Sequence, residues 1–209
     1  MDIYINKIHY PVKELGNGEN RLGIWLQGCP IHCNGCINKD TWTLLEERKI
    51  SFDELKKILA KFKKKNICGV TITGGEPFYQ PAALLELALF LKEITGGDIF
   101  VYSGYSFEFI NEKYPDILKN IDVLVSEPFK ENETDKLIWR GSDNQKIWLL
   151  SEKARKIYPG NINEIEYTER KMQYSIVGDE LYMIGIPARK DLDKFYELLK
   201  ERGLNCEKV

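Results

Sequence analysis

The sequence is poor in the residues and segments that several classes of function require. It has only two histidines, His9 and His32, so a histidine base or a nucleophilic triad finds little support. No apolar run is long enough to cross a bilayer, and the first residues lack the basic and apolar regions of a signal peptide. A formal net charge of −2 gives no reason to expect nonspecific nucleic-acid binding. We therefore expect a cytoplasmic protein, with no membrane or nucleic-acid partner, in a compartment that keeps thiols reduced.

The pattern of strands and helices indicates the fold class. The 209 residues are 43% hydrophobic, which is enough for a sizeable core. Apolar residues at helical spacing predict helices after a capping box at residues 51–54 and over residues 81–94. Short apolar segments that predict strands lie at residues 22–27, 70–73, 99–103 and 121–125. This alternation predicts an α/β fold on a parallel sheet, either open or curled into a partial (β/α) barrel, with functional loops at the carboxyl ends of the strands.

The character of the chain changes after about Leu150. A turn signal at residues 158–161 is followed by a predicted hairpin, with strands at 173–177 and 180–186 around Gly178 and Asp179. Asp191 then caps a final helix that is closed by Gly203. We therefore expect a main domain over residues 1–150 and a small α+β appendage over residues 151–209.

Three of the five cysteines lie within eight residues, as Cys29, Cys33 and Cys36. Three thiolates can hold three corners of a 4Fe–4S cluster and leave the fourth iron open to a cofactor or substrate. The alternatives are a zinc knuckle, for which His32 is the only nearby fourth ligand, or three unrelated thiols. Because His32 precedes Cys33 directly, the two side chains cannot easily face one ion.

The remaining cysteines, Cys68 and Cys206, are expected to take no part in this site. Cys68 precedes an apolar strand and is predicted to be a buried small apolar residue. Cys206 lies in a polar tail, where a bystander is favoured over a further ligand or a resolving thiol.

The cysteine motif, followed by a strand that ends in Gly74-Gly75-Glu76-Pro77, resembles the radical S-adenosylmethionine superfamily. Four further segments narrow the resemblance, at residues 28–42, 101–105, 121–125 and 139–145. In this order they look like the activating enzyme of anaerobic ribonucleotide reductase, a glycyl-radical-enzyme activase. The resemblance covers roughly residues 22–150 and implies a partial (β/α) barrel.

The resemblance also implies the roles of individual residues. The three clustered cysteines hold the 4Fe–4S cluster, and S-adenosylmethionine chelates the open iron. Gly74, Gly75 and Glu76 bind the amino end of the cofactor, since glycines allow close backbone approach and a carboxylate suits an ammonium group. Pro77 stiffens this turn, and Ser103, followed by Gly104, is placed to reach the ribose. Taken alone, the glycines are compatible with an ordinary tight turn, and Ser103 with the start of a loop.

A second group of residues is implied to order the loop beside the cofactor or to contact the partner. It consists of Arg140, Ser142, Asn144 and Gln145. Taken alone, Arg140 is also compatible with a surface ion pair. The resembled branch commonly has Asp-Gly-Pro-Phe after the strand at 121–125. This chain has Ser126-Glu127-Pro128-Phe129, so its acidic residue, Glu127, lies one position later than the aspartate of that branch. Glu127 is a further candidate cofactor contact.

The function implied is reductive cleavage of S-adenosylmethionine to a 5′-deoxyadenosyl radical, which abstracts hydrogen from a glycine of a partner reductase. The expected electron donor is a low-potential protein such as flavodoxin. One alternative keeps the radical chemistry but acts on a peptide or small metabolite, with residues after 150 as the recognition element. Another is a non-catalytic iron–sulfur electron carrier or metal-stabilised binding module.

Overall fold

Seven strands form one mixed sheet in the computed structural model, which describes residues 1–177, 180–188 and 191–203. They are β1 (Asp2–Val12), β2 (Arg21–Leu26), β3 (Lys49–Ser51), β4 (Gly69–Gly74), β5 (Asp98–Tyr102), β6 (Val123–Ser126) and β7 (Lys146–Leu149). The order across the sheet is β3-β1-β2-β4-β5-β6-β7. Strands β2, β4, β5 and β6 are parallel, whereas β1 and β7 run antiparallel to their inner neighbours. The predicted α/β fold with a parallel sheet is thus confirmed, and its closure into a partial barrel stays a prediction.

Four helices cover one face of this sheet. They are α1 (Phe52–Ala60), α2 (Pro81–Ile94), α3 (Phe107–Lys113) and α4 (Pro115–Leu118). Helix α1 begins where predicted, because the Ser51 hydroxyl accepts a hydrogen bond from the Glu54 N–H at 3.3 Å. Alternate strand residues such as Ile24, Ile72 and Val101 are fully buried against these helices in the main core. Within the described ranges, no helix is both long and apolar enough to span a bilayer.

The opposite face of the sheet is covered by chain that follows β7. Phe100 and Val123 point to this side, where they pack with Tyr158 and Ile162 from the segment that contains α5 (Glu152–Ile157). The residues after Leu150 therefore complete a second core, on the face of the sheet opposite the helices α1–α4. The division predicted there stays a prediction.

A buried ion pair closes the amino-terminal end of the parallel strands. Arg21 Nη1 lies 2.8 Å from Asp98 Oδ1, and both side chains are almost completely buried. The Tyr158 hydroxyl donates a hydrogen bond to Asp98 Oδ2 at 2.9 Å. These contacts satisfy the buried charges and tie the C-terminal part of the chain to β2 and β5.

The predicted hairpin and final helix are present as β8 (Gln173–Val177), β9 (Glu180–Ile184) and α6 (Asp191–Glu201). Strand β9 ends two residues earlier than predicted. The hairpin lies against β1, where Gln173 Nε2 donates a hydrogen bond to the Pro11 carbonyl at 2.8 Å. The predicted turn residues Gly178 and Asp179, and Cys206, lie outside the described residues.

Cys68 is exposed, so the prediction that it is buried was wrong. Strand β4 begins only at Gly69, and Cys68 belongs to the turn that precedes it. Its Sγ lies 3.8 Å from the Asn17 carbonyl, at the end of the sheet opposite the clustered cysteines.

Candidate functional site

The cysteine loop and the Gly-Gly-Glu turn meet at the carboxyl ends of β2 and β4. These strands are paired in parallel with Leu26 opposite Gly74, so the loops that follow them leave the sheet side by side. The Gly75 N–H donates to the Leu26 carbonyl at 2.9 Å, and the Glu76 N–H donates to the Gly28 carbonyl at 2.8 Å. The sheet register therefore brings together two motifs that lie about forty residues apart in sequence.

Both glycines of this turn are required by the backbone. Gly74 has φ of 104°, a conformation that strongly favours glycine. A Cβ at Gly75 would lie only 2.2 Å from the Gly28 carbonyl oxygen. The glycines therefore permit the tight turn. They also allow its backbone to lie directly against the start of the cysteine loop.

Gln27 holds the returning end of the cysteine loop, a role that sequence reasoning missed. Its side chain is fully buried, and Nε2 donates to the carbonyls of Asp40 at 2.9 Å and Thr43 at 2.6 Å. Gln27 accepts from Asn6 Nδ2 at 2.9 Å. The available signal was a polar residue placed directly between a buried strand and the first cysteine.

Backbone N–H groups point at all three sulfurs. Those of Ile31 and His32 hydrogen-bond to Cys29, and that of Phe129 to Cys33. The Asn38 N–H lies 3.4 Å from Cys36 Sγ. Such N–H···S bonds stabilise thiolates and are among the contacts that tune iron–sulfur clusters. The donor set therefore fits a cluster held by three thiolates.

The zinc knuckle, the alternative for these cysteines, would need His32 as its fourth ligand. In the described part of the chain, no three His, Cys, Asp or Glu side chains lie together in a way that could hold one metal ion. His32, the fourth ligand that a zinc knuckle would need, stacks on Trp42 with ring centroids 4.5 Å apart. A cubane distributes three thiolates over three irons, so its ligands need not converge on one point. The arrangement thus favours the cluster over the zinc knuckle.

Burial raises the pKa of the Cys29 and Cys33 thiols, and the neighbouring thiols raise both further. The backbone N–H bonds act in the opposite direction. Because their surroundings oppose the ionisation of Cys29 and Cys33, a cation bound to these sulfurs would be favoured.

Glu76 is buried beside this loop with three hydrogen-bond donors. Oε1 accepts from the Phe78 N–H and the Ser103 hydroxyl, both at 2.9 Å, and Oε2 accepts from the Gly104 N–H at 2.7 Å. Only 1% of the residue is exposed. Burial raises the pKa of Glu76 to about 7, because the hydrogen bonds only partly offset the loss of water.

The structure therefore brings Ser103 and Gly104 to Glu76, as neighbours across β4 and β5. The Ser103 hydroxyl is engaged by the carboxylate and by the Tyr105 N–H at 3.1 Å. Its predicted contact with a ribose stays a prediction. Pro77 begins a 3₁₀ turn, Pro77–Tyr79, in which it is buried.

Arg140 is buried, unlike the surface ion pair that was its alternative. Only 2% of it is exposed, and Nη1 donates to the Gln145 carbonyl and to Asn163 Oδ1, both at 3.1 Å. The guanidinium thus ties its own loop to the segment after α5.

The other residues of this loop hold the segment that follows β6. The Ser142 hydroxyl accepts from the Lys130 N–H at 3.0 Å, and Asn144 Nδ2 donates to the Pro128 carbonyl at 3.0 Å. Gln145 Nε2 donates to the Glu127 carbonyl at 3.0 Å. The Phe129 N–H that faces Cys33 lies in the same segment, so the loop supports the cysteines indirectly.

Glu127 stands in a backbone conformation that favours glycine, with φ of 82°. This is the position at which the resembled branch has glycine. Its Oε1 lies 3.4 Å from the Phe107 N–H, at the start of α3. The shifted acidic side chain is thus directed to a helix end, and its role as a cofactor contact stays a prediction.

Comparison with known proteins places this site in a family. A family model described as a 4Fe-4S single cluster domain matches residues 15–148. The anaerobic ribonucleoside-triphosphate reductase-activating protein of Enterobacteria phage T4 is 32% identical over 143 residues, 66% of this chain and 90% of that protein. The protein of the same name from Pasteurella multocida is 33% identical over 160 residues, 71% of this chain and 99% of that protein.

A solved structure, QueE from Escherichia coli, matches 51% of this chain and 54% of its own, with 26% identity and a TM-score of 0.44. A match that covers only about half of each chain does not support a functional assignment. Roughly a third of this chain lies outside the span shared with the reductase-activating relatives.

Proposed function

This chain belongs to the family of anaerobic ribonucleoside-triphosphate reductase-activating proteins, in the radical S-adenosylmethionine superfamily, and we propose that it activates a partner reductase by forming a glycyl radical on it. The observation that carries the proposal is the meeting of the cysteine loop with the Gly74–Glu76 turn at one edge of the parallel sheet. Backbone hydrogen bonds between the two motifs fix this arrangement.

A 4Fe–4S cluster, when bound by Cys29, Cys33 and Cys36, supplies one electron to S-adenosylmethionine and so yields methionine and the 5′-deoxyadenosyl radical. The chain's own contribution is to hold the cluster through its three sulfurs. The three sulfurs receive backbone N–H bonds, which stabilise the thiolate form that binds iron. The His32 ring stacks on Trp42 beside the loop, so it is engaged with an aromatic partner.

The turn over residues 74–76 is suited to the amino end of the cofactor. Its glycines leave the backbone bare, and Glu76 offers a buried carboxylate that lacks a cationic partner in the described part of the chain. An ammonium group beside it would compensate the charge that burial makes costly. Ser103 and the Gly104 N–H orient the carboxylate for this role.

The setting of the reaction is part of the proposal. Cluster thiols must stay reduced, so we place the protein in the cytoplasm, with a low-potential donor such as flavodoxin as the source of electrons. The partner is a protein whose glycine lies on an accessible loop. The predicted cofactor contacts from Glu127, Arg140, Ser142 and Asn144 are proposed as supports of the loop that faces the cofactor.

The test is activation under anaerobic conditions. Reconstituted protein, S-adenosylmethionine, reductant and the partner reductase should give 5′-deoxyadenosine and a glycyl radical doublet in electron paramagnetic resonance. Cys33→Ser, treated in the same way, is the control for radicals that arise without the cluster. Cleavage of S-adenosylmethionine with no radical on the reductase would exclude the partner, and no cleavage at all would exclude the chemistry.

A second candidate function keeps the cluster chemistry but takes a peptide or small metabolite as substrate. It is favoured by the part of the chain that lies outside the span shared with the relatives. In that case 5′-deoxyadenosine should accumulate with a modified peptide or metabolite, and the reductase should stay diamagnetic. Mass spectrometry of the products separates the two.

A further inference from the structure

The cysteine loop is held at its base and at its tip by different parts of the chain. At the base, the Gly28 N–H donates to the Thr41 carbonyl at 2.7 Å, and the Cys29 N–H donates to the Trp42 carbonyl at 2.9 Å. The first cysteine is therefore fixed where the loop leaves the sheet. The other two cysteines lie further out along the loop, so their positions depend on other contacts.

A tight turn joins the two outer cysteines. The Cys36 N–H donates to the Cys33 carbonyl at 3.2 Å, and Gly35 stands between them with φ of 74°. A positive φ in the middle of a turn favours glycine, so this residue lets the chain reverse without strain. The turn carries both thiols on one short unit, and whatever holds this unit places both of them.

The segment that follows β6 supplies the contacts to this turn. Glu131 Oε2 accepts a hydrogen bond from Asn34 Nδ2 at 2.6 Å. The same carboxylate lies directly on Gly35, where a Cβ would come within 2.9 Å of Glu131 Oε1. The Phe129 N–H, two residues earlier in the segment, hydrogen-bonds to Cys33. The segment thus contacts the turn through one backbone N–H and one carboxylate.

These two hydrogen bonds are the main polar restraints on the tip of the loop. In the part of the chain that the structure describes, the hydrogen bonds that join residues 30–37 to chain outside residues 28–42 come from Phe129 and Glu131. An exposed hydrogen bond usually adds little to global stability, but local opening of a segment depends on the few bonds that restrain it. Loss of the carboxylate should therefore free the tip of the loop without unfolding the protein.

The backbone that carries Glu131 is itself anchored. The Lys130 N–H donates to the Ser142 hydroxyl at 3.0 Å, and Asn144 Nδ2 donates to the Pro128 carbonyl at 3.0 Å. Both partners belong to the loop that precedes β7. The carboxylate therefore projects from a fixed backbone, and it can hold the turn in one place.

We propose that Glu131 is a positioning residue for the iron–sulfur cluster. Its carboxylate, bonded to Asn34, holds the turn between Cys33 and Cys36 where both thiolates can bind iron at the same time. The inference rests on the proposed function only in taking these cysteines as cluster ligands. Glu131 acts on the ligands through Asn34 and takes no part in the cleavage of S-adenosylmethionine.

The experiment measures how fast the reconstituted protein loses its cluster to an iron(II) chelator under anaerobic conditions. The rate constant, followed by the iron–sulfur absorbance, should rise roughly 3- to 10-fold in Glu131→Ala and by a similar factor in Asn34→Ala. The double variant should lose its cluster no faster than either single variant, because all three lack the same bond. Glu131→Gln keeps an oxygen that can accept from Asn34, so its rate should stay within about twofold of the wild type.

Glu133→Ala is the matched control, since this exposed glutamate lies in the same segment. Its rate of cluster loss should equal that of the wild type. The urea midpoint of each apoprotein is measured in parallel, and it should be the same in all variants. Equal midpoints separate the positioning of the turn from a general loss of stability.

Four outcomes overturn the inference. The first is cluster loss in Glu131→Ala that is as slow as in Glu133→Ala. The second is a double variant in which the factors of the two single variants multiply, since the two side chains would then act independently. The third is a lowered midpoint of apo Glu131→Ala, and the fourth is cluster loss in Glu131→Gln that is as fast as in Glu131→Ala. Failure of the proposed function looks different, because then the wild-type protein keeps its cluster but cleaves no S-adenosylmethionine, or binds no cluster at all.

Discussion

Replacement of Glu76 by Gln should change how the stability of the apoprotein depends on pH. The pKa of this carboxyl rises from the usual 4.5 to about 7 in the folded protein. A tenfold change in proton affinity corresponds to about 1.4 kcal/mol, so ionised Glu76 should destabilise the fold by about 3 kcal/mol relative to the protonated form. Because the folded-state pKa is raised, this stability is fully present below pH 4.5 and is lost as the pH rises through 7.

The measurement is urea unfolding of both apoproteins at about pH 4 and about pH 8, under reducing conditions. The free energy of unfolding of the wild type, minus that of Glu76→Gln, should fall by about 3 kcal/mol between these values. The amide introduced by the substitution faces the N–H groups of Phe78 or Gly104 less favourably than a carboxylate does. That cost is independent of pH and cancels in the comparison.

The reasoning would be refuted by two stability profiles that run parallel within about 1 kcal/mol from about pH 4 to about pH 8.

A related effect is expected on the binding of S-adenosylmethionine. An ammonium group beside Glu76 favours the ionised carboxylate, so the holoenzyme should bind S-adenosylmethionine more tightly as the pH rises from about 6 to about 7.5. In Glu76→Gln this rise should be smaller, as measured by the dissociation constant.

Three further predictions concern other parts of the site and its supports. Cys33→Ala should lose the iron–sulfur absorbance on reconstitution and form no 5′-deoxyadenosine, and retained turnover would contradict the assignment of the ligands. Glu127→Gly should be about 1 kcal/mol more stable than Glu127→Ala in urea unfolding, because both remove the carboxylate but only glycine relieves the strain of the positive φ. Equal stabilities of the two variants would show that no backbone strain is stored at this position. Tyr158→Phe should lower the free energy of unfolding by about 1–2 kcal/mol, since it removes the hydrogen bond to the buried Asp98 carboxylate, and an unchanged value would show that this bond contributes nothing.

Local signals were sufficient for much of the fold. Helix α2 lies over Pro81–Ile94 as predicted, because proline suits the first helical position and Gly96 and Gly97 follow its end. The capping box at Ser51 likewise marked the start of α1. In both cases the information lies within one turn of the helix boundary, where sequence spacing and spatial proximity are the same.

What depends on contacts between distant segments was not predictable. The antiparallel strands β1 and β7 are defined by their pairing partners, and their sequences carry no signal of direction. The hydrogen bond from Ser103 to Glu76 follows from the register of β4 and β5, and no local signal in the sequence indicates it. The cysteine motif was readable because its ligands are adjacent in sequence. Its support Gln27 was not, because the carbonyls that it binds lie 13 and 16 residues away in sequence. The resemblance implied that Arg140 orders its loop, but the bonds from Arg140 to Ile162 and Asn163 depend on a distant segment.

The residues after Leu150 cover one face of the sheet, and this matters for protein engineering. Shortening the chain to the length of its compact relatives would strip Phe100, Val123 and Val125 of the side chains that bury them. It would also leave the Asp98 carboxylate without its phenol donor. A minimal version of this enzyme would therefore need a redesigned polar surface on that side of the sheet before it could stay monodisperse at working concentrations.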